Sequence, residues 1–155
     1  MSQQIETLEH GIITKIACGD MNVRVYSTKD AIEDQVIILD RQGKGIIIEL
    51  PCFHDSIAEL TKYLADNKLE IVGKLVSYHA EGSSFLPDVK NYLTESAVAY
   101  NTDGEGAHLV QNFSGVFGAA FDSGIINAGE KLNGGKMNIA GIDIEIIPQR
   151  DTSRV

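Results

Sequence analysis

Basic residues, cysteines and long apolar stretches are all scarce in this sequence, and each shortage excludes a class of protein. Lys and Arg number 13 against 22 Asp and Glu, which gives a net charge of −9 at pH 7. Because nucleic acids and anionic membranes bind basic surfaces, we expect neither as a partner. No window approaches the run of about 18 apolar residues that a membrane-spanning helix needs. The first ten residues are polar and acidic, unlike a signal peptide, so the expected location is the cytoplasm.

The two cysteines, Cys18 and Cys52, have no metal-ligand spacing and form no disulfide framework. Cys52 follows an apolar run, where a packed thiol is commoner than a reactive one. Hydrophobic residues make up 43% of the chain and charged residues 23%, as in ordinary globular proteins. A length of 155 residues suits one domain with its own core, so we expect residues 1–155 to form a single domain.

The first 50 residues favour an antiparallel β-meander. Val23 and Val25 alternate with polar residues, a pattern typical of a half-buried strand. The spacer 40–44 supplies turn residues and a glycine, which predicts a hairpin. The predicted strands are Gly11–Ala17, Met21–Tyr26, Val36–Leu39 and Gly45–Leu50.

Helices and strands alternate in the remainder of the chain. Ser56 and Glu59 form a capping-box pattern, which predicts a helix ending near Asn67. The stretch Leu69–Val76 is almost entirely apolar, as in a strand covered on both faces. The later predictions are a helix over Pro87–Glu95, a strand over Ala97–Tyr100, a helix over Gly104–Phe113, a glycine-rich loop over 114–135 and a hairpin over 136–147. This order predicts an α/β fold whose mixed sheet carries helices on one face.

A histidine and a glutamate follow the apolar strand at its carboxyl end, where α/β sheets gather their ligands. His79 and Glu81 lie two residues apart, so both side chains can face one way if the strand extends that far. Two ligands make a weak metal site, and the candidates for a third are Asp122, His108 and Glu49. The alternative is that His79 caps the strand end and Glu81 is solvated.

The residues around His79 resemble the metal-binding region of the metallo-β-lactamase superfamily. That family places the signature Thr-His-x-His-x-Asp-His after a helix and an apolar strand. His79 falls on the first histidine, whereas Glu81, Ser83 and Ser84 stand where the second His, the Asp and the last His should be.

Further segments are similar to the same family. Asn22–Tyr26 resembles its early Asn-containing strand, and Ile46–Pro51 resembles the strand that ends in Asp-x-Pro, with Glu49 in place of the Asp. Ile142–Pro148 resembles the hairpin before its Pro-Gly-His-Thr turn, although Arg150 and Asp151 follow here and no His does. The resemblance implies one half, the N-terminal half, of the family's αββα sandwich.

The resemblance also implies a function. In the family a metal-bound water attacks the substrate, and a catalytic zinc needs about three protein ligands. With most of those ligands replaced, we expect a protein related to metal-dependent hydrolases that holds no zinc at full occupancy, although zinc binding stays possible in principle at His79 and Glu81. The alternatives are a non-catalytic binding or assembly module for a protein or small-molecule ligand, and an unrelated α/β domain with the same element order.

A lone half of the sandwich would leave one face of its sheet uncovered. We assign Val23, Val25, Ile37 and Ile47 to that face. Three explanations stay open: the chain is a fragment lacking its C-terminal half, it forms a homodimer, or its sheet closes on itself. We predict a homodimer, since contiguous apolar patches beyond a few hundred Å² are rare on monomers.

Overall fold

The computed structural model describes residues 2–102, 104–132 and 134–147. Within these ranges an eight-stranded mixed sheet carries a two-stranded hairpin on one face and α-helices on the other. None of the helices in these ranges is long and apolar enough to cross a membrane. The mixed α/β architecture predicted from the sequence is confirmed.

The strands of the main sheet lie side by side in chain order. They are β1 (Gln3–Thr7), β2 (Gly11–Cys18), β3 (Met21–Thr28), β4 (Gln35–Arg41), β5 (Lys44–Ile48), β6 (Glu70–Val76), β7 (Asn91–Thr94) and β8 (Glu130–Leu132). The hairpin consists of β9 (Gly135–Ile139) and β10 (Ile142–Ile146), and the helices are α1 (His54–Asp66), α2 (Glu95–Thr102) and α3 (Glu105–Phe117).

Strands β1 to β5 pair antiparallel, whereas β5 to β8 pair parallel. The meander and its tight turn are therefore confirmed. Gln42 and Gly43 connect β4 to β5 with φ angles of 53° and 81°, the left-handed conformation of a type I′ hairpin turn. Strand β1 was not predicted, because all five of its residues are exposed and no burial pattern marks it.

The predictions for residues 87–100 were wrong. Asn91–Thr94 is a strand rather than part of a helix, and the predicted strand Ala97–Tyr100 lies inside α2. Tyr92 and Leu93 pack on opposite faces of the sheet, which requires an extended chain. The Thr94 hydroxyl then accepts a hydrogen bond from the Ala97 N–H at 3.1 Å and caps the start of α2.

Helix α1 was predicted correctly, but its capping box was not. The helix begins at His54, ahead of Ser56, and ends at Asp66, with Asn67 as its C-cap residue as expected. Ser56 instead donates a hydrogen bond to Asp30, and Glu59 accepts one from the Tyr26 hydroxyl. These side chains connect α1 to the meander.

Two apolar cores lie on the two faces of the sheet. On the helix side, Leu60 and Leu64 of α1 pack with Ile38, Ile47 and Val76. On the hairpin side, the members are Ile46, Leu75, Tyr92, Leu132, Ile139 and Ile142. The assignment of Ile47 to an uncovered face was therefore wrong: Ile47 is fully buried under the helices, and its neighbour Ile46 points to the hairpin.

A buried ion pair lies in the helix-side core, on the face of β3 that looks polar in the sequence. Arg24 donates from Nε to Asp40 Oδ2 at 2.9 Å and from Nη1 to the Tyr63 hydroxyl at 2.8 Å. Asn22 donates to the other carboxylate oxygen of Asp40 at 3.1 Å. Because each group has partners, the pair is tolerated inside the core.

Replacing Asp40 by Ala should destabilise the protein strongly, because Arg24 would be left buried and unpaired. We expect a loss of about 3–5 kcal/mol in the free energy of unfolding, measured by urea denaturation. The matched control is Asp20→Ala, which removes an exposed ion pair with Arg41 and should cost under about 1 kcal/mol. Equal losses in the two variants would contradict this account of the core.

Candidate functional site

The loop after β6 leaves the sheet at Val76 and is fixed by the end of β7 and by α2. The Thr94 hydroxyl donates to the Ser77 carbonyl at 2.8 Å, and the Asn101 side chain donates to the Tyr78 carbonyl at 2.6 Å. The fold thus places residues 77–81 at the carboxyl end of a central strand, as the sequence predicts.

His79 sits against two aromatic rings. Tyr78 stacks on Tyr100 with ring centroids 4.2 Å apart. The His79 ring meets both edge-on, at 5.0 Å from Tyr78 and 5.8 Å from Tyr100. This packing limits how the imidazole can turn while leaving it half-exposed.

The structure brings His79 and Glu81 together. Nδ1 of His79 lies 3.6 Å from Oε1 of Glu81, whose side chain is only 11% exposed. The other oxygen of Glu81, Oε2, is buried and has no hydrogen-bond partner within the described part of the chain. A buried oxygen without a partner is unusual in a folded protein, and it leaves one acceptor free next to the imidazole.

Glu49 lies close to this pair, at the end of β5. Its Oε1 accepts hydrogen bonds from both the N–H, at 3.1 Å, and the hydroxyl of Ser77. Burial raises the pKa of the Glu49 carboxyl above its ordinary value. The Ser77 hydrogen bonds and the neighbouring His79 lower this pKa, whereas the charge of Glu81 raises it.

Cys52 and Asp34 form a second polar pair, close enough to Glu81 for its charge to act on both groups. The Cys52 thiol donates to Asp34 Oδ2 at 2.9 Å, and the Cys52 N–H donates to the same oxygen at 3.3 Å. Burial and then the charge of Asp34 raise the pKa of Cys52 above its usual value. The thiol is therefore held protonated and is a poor nucleophile. Asp34 was missed in the sequence because it lies in a connecting segment without a motif.

One carboxylate oxygen of Asp122 accepts from the loop 82–84, and the other accepts from the segment that follows Asp122 itself. Oδ2 accepts from the Ser84 N–H at 2.8 Å, and Oδ1 accepts from the Gly124 N–H at 3.0 Å. Its main chain adds a bond from the Asp122 N–H to the Cys52 carbonyl at 2.7 Å. These contacts give Asp122 a role in fixing the loop beside the site.

The other predicted third ligand, His108, lies exposed on α3. Of the five histidine and acidic residues predicted around the site, the structure therefore brings together Glu49, His79 and Glu81 as neighbours. The turn that would follow the last hairpin, including Arg150 and Asp151, lies outside the described residues.

A tightly held catalytic zinc does not fit these side chains. Such an ion needs about three protein ligands converging on one point. In residues 2–102, 104–132 and 134–147, no group of three or more His, Cys, Asp or Glu is arranged to hold a metal ion. Oε1 of Glu49 is already hydrogen-bonded to Ser77, whereas Glu81, beside His79, keeps one oxygen without a partner in the described part of the chain.

The sequence matches no family model and no curated protein. Among solved structures, the fold is similar to that of DIM-1 metallo-β-lactamase, with a TM-score of 0.50 and 14% identity over 94% of this chain. A structure of DIM-1 exposed to ceftazidime has a TM-score of 0.49 and 14% identity over 90% of this chain. A structure of TMB-1 has a TM-score of 0.44 and 12% identity over 90% of this chain.

The chain thus has a metallo-β-lactamase-like fold, as the resemblance implied. It spans 59% of the length of the DIM-1 chain and 56% of the other two. At 14% identity, this similarity establishes the architecture alone.

The difference between the two thiols gives a direct test of the site's packing. At pH 8 we expect exposed Cys18 to react with a disulfide reagent such as DTNB, while buried Cys52 reacts only after unfolding. The reason is that Cys52 is both inaccessible and kept protonated beside Asp34. Cys18→Ser should abolish the fast phase and Cys52→Ser should preserve it; a fast phase that survives in Cys18→Ser would overturn the assignment.

Proposed function

We propose that this protein is a relative of the metal-dependent hydrolases that has lost most of its metal ligands and binds no zinc tightly. The observation that carries the proposal is that the acidic side chains near His79 accept hydrogen bonds from the protein itself. Glu49 accepts from Ser77, Asp34 accepts from Cys52, and Asp122 accepts from two backbone amides. Each carboxylate thereby stabilises the protein's own fold.

In this proposal, His79 and Glu81 are the two side chains that remain as metal ligands. With two protein donors, a zinc ion would bind weakly and exchange readily. The net charge of −9 supports the proposal that nucleic acid is not the partner. As its location we propose the cytoplasm.

Metal content tests this proposal. Protein purified without a histidine tag and dialysed against metal-free buffer should carry well under one zinc per chain by elemental analysis. Residual binding in a zinc titration should fall in His79→Ala and Glu81→Gln and stay unchanged in His108→Ala.

If the wild-type protein retains one or two metal ions per chain, the proposal that the metal site has been lost is wrong. The variants His108→Ala and Asp122→Asn would then identify the missing ligand by their metal content, and an active hydrolase would replace the present proposal.

A second candidate function is assembly, and the uncovered part of the sheet favours it. Cross-strand register places Thr14, Val25 and Ile37 in one row and Ile16 and Val23 in the next. All five are only half-buried. The hairpin β9–β10 covers the same face farther along, over β4 to β7. The apolar surface that remains continues to Ile5 on the edge strand, which is 67% exposed.

Charge favours a second copy of this chain as the partner at that face. Among the described residues of β1, β2 and β3, the side chains on this face are uncharged: Gln3, Ile5, Thr7, Ile12, Thr14, Ile16, Cys18, Met21, Val23, Val25 and Ser27. Two chains that each carry a charge of −9 repel least where such surfaces meet. A twofold-symmetric pairing would bury the same residues in both copies.

Sedimentation equilibrium at low micromolar concentration should give about twice the chain mass of 16.8 kDa. Val25→Lys should produce monomers, because it places a charge in the centre of the face. The control Ala58→Lys changes an exposed position on α1 and should leave the dimer intact. A wild-type monomer at this concentration would contradict the assembly proposal.

A further inference from the structure

The two edges of the main sheet differ in how they are protected. Strand β8, at one edge, is three residues long, and its charged residues Glu130 and Lys131 form ion pairs with Lys90 and Glu95. Short length and charged side chains are features that keep sheet edges from pairing with other strands. Strand β1, at the other edge, has five exposed residues, pairs with β2 without a register shift and contains neither lysine nor proline. The edge at β1 is therefore open to a further strand.

The hydrogen bonds to β2 show which main-chain groups of β1 lie on this open edge. The Leu8 N–H donates to the Gly11 carbonyl at 2.9 Å, and the Ser2 carbonyl accepts from the Ala17 N–H at 3.3 Å. In an antiparallel pair, every second residue of a strand bonds to the same neighbour. The residues of β1 in step with Ser2 and Leu8 therefore bond to β2, and the residues between them do not.

Those intervening residues are Gln3, Ile5 and Thr7. Their N–H and C=O groups point away from β2 and form a row of alternating donors and acceptors along the edge. Backbone groups of this kind are strong hydrogen-bonding groups that a further strand can pair. The side chain of Ile5, in the middle of the row, is 67% exposed.

The row is complementary to a second copy of itself. If two β1 strands lie antiparallel with a twofold axis at Ile5, each Ile5 exchanges both of its main-chain bonds with Ile5 of the other copy. Each Gln3 then exchanges both bonds with Thr7 of the other copy. The three residue pairs form six hydrogen bonds, so every outward-pointing group of β1 has a partner.

Side chains favour the same register. On the face opposite to Ile5, it places Gln4 against Glu6 of the other copy, an amide donor against a carboxylate. Sliding the strands by two residues in one direction would place Glu6 directly against Glu6, and like charges at opposite positions destabilise a sheet. Sliding them in the other direction leaves Thr7 without a partner within β1.

We propose that two copies of this chain join edge to edge through β1, antiparallel and centred on Ile5, so that their sheets form one continuous sheet. This edge is separate from the sheet face formed by β1, β2 and β3, so the pairing stands whether or not two copies also meet at that face. A contact of one short strand from each copy is smaller than a stable interface needs, and we expect pairing above roughly 100 µM protein.

Solvent exchange of backbone amides, measured by NMR at two concentrations of wild-type protein, tests the pairing. Between about 20 and about 500 µM, exchange at Gln3, Ile5 and Thr7 should slow roughly threefold, which is the fall in the unpaired fraction for a Kd of about 100 µM. The amides of Gln4 and Glu6 bond to β2 in either state and should not change. Fast exchange at Gln3, Ile5 and Thr7 at both concentrations would refute the pairing and leave this edge to a strand of another protein.

A substitution at Thr7 tests the main-chain bonds. Thr7→Pro removes an outward-pointing N–H and keeps the bonds to β2, because proline is tolerated on the free side of an edge strand. Sedimentation equilibrium should give a Kd roughly tenfold weaker, since two of the six bonds are lost. Thr7→Val keeps the N–H and the side-chain shape and should pair like the wild-type protein. Equal association of the two variants would refute the proposal.

A charge at Gln4 tests the register. Gln4→Lys places an ammonium opposite Glu6 of the other copy, and the two resulting ion pairs should tighten the pairing by about twofold to tenfold. Ala58→Lys makes the same change of net charge on α1 and should leave the Kd unchanged. An equal change of the Kd in both variants would refute the proposed register.

The variant Val25→Lys separates this contact from assembly through the sheet face. It places a charge in the face but leaves β1 intact. At about 500 µM its mass should approach twice the chain mass of 16.8 kDa, and exchange at Ile5 should stay slow. A Val25→Lys protein that stays monomeric at this concentration with fast exchange at Ile5 would refute pairing through the edge.

Discussion

The coverage of β6 on both faces is the constraint on which the rest of the structure depends. The strand pairs parallel with β5 and β7. Leu75 packs under the hairpin while Val76 packs under the helices. A strand held on both edges and both faces cannot shift its register without moving every side chain to the opposite core. Its end therefore fixes where the following residues, including His79 and Glu81, leave the sheet. The carboxyl ends of β5 and β7 bring Glu49 and Thr94 to the same edge.

At that edge the carboxylates are used to hold loops. Asp122 receives two backbone N–H groups, and Glu49 receives the N–H and hydroxyl of Ser77. Such bonds stabilise the ionised carboxylate and lower the tendency of the loop to open. The same chemistry would compete with a metal ion for these oxygens. The arrangement thus connects the altered signature around His79 with the proposed loss of a tightly bound zinc.

The sequence predicts those parts of the fold that have a clear period or a local signal. The meander, α1, β6 and the last hairpin were recognised from alternation, helical spacing or turn residues. Residues 87–100 were not, because the pair Tyr92 and Leu93 suits a helix stripe as well as a strand buried on both faces. The orientation of Arg24 and Ile47 depends on where α1 packs, which local patterns do not contain. For the site, His79 and Glu81 could be singled out, but Asp34 could not, since its significance arises only from burial and from its neighbour Cys52, which is distant in the chain.

The most direct test of the central claim compares thermal unfolding with and without metal. A ligand that binds only the native state at a hundred times its Kd stabilises it by about 2.7 kcal/mol. For a chain of this size, that corresponds to a rise in Tm of roughly 5–10 °C. If Asp34, Glu49 and Asp122 stabilise the fold by hydrogen bonds and no metal ion is bound, excess EDTA and equimolar zinc should each shift the Tm by less than about 1 °C. A fall of several degrees in EDTA that equimolar zinc restores would contradict the account.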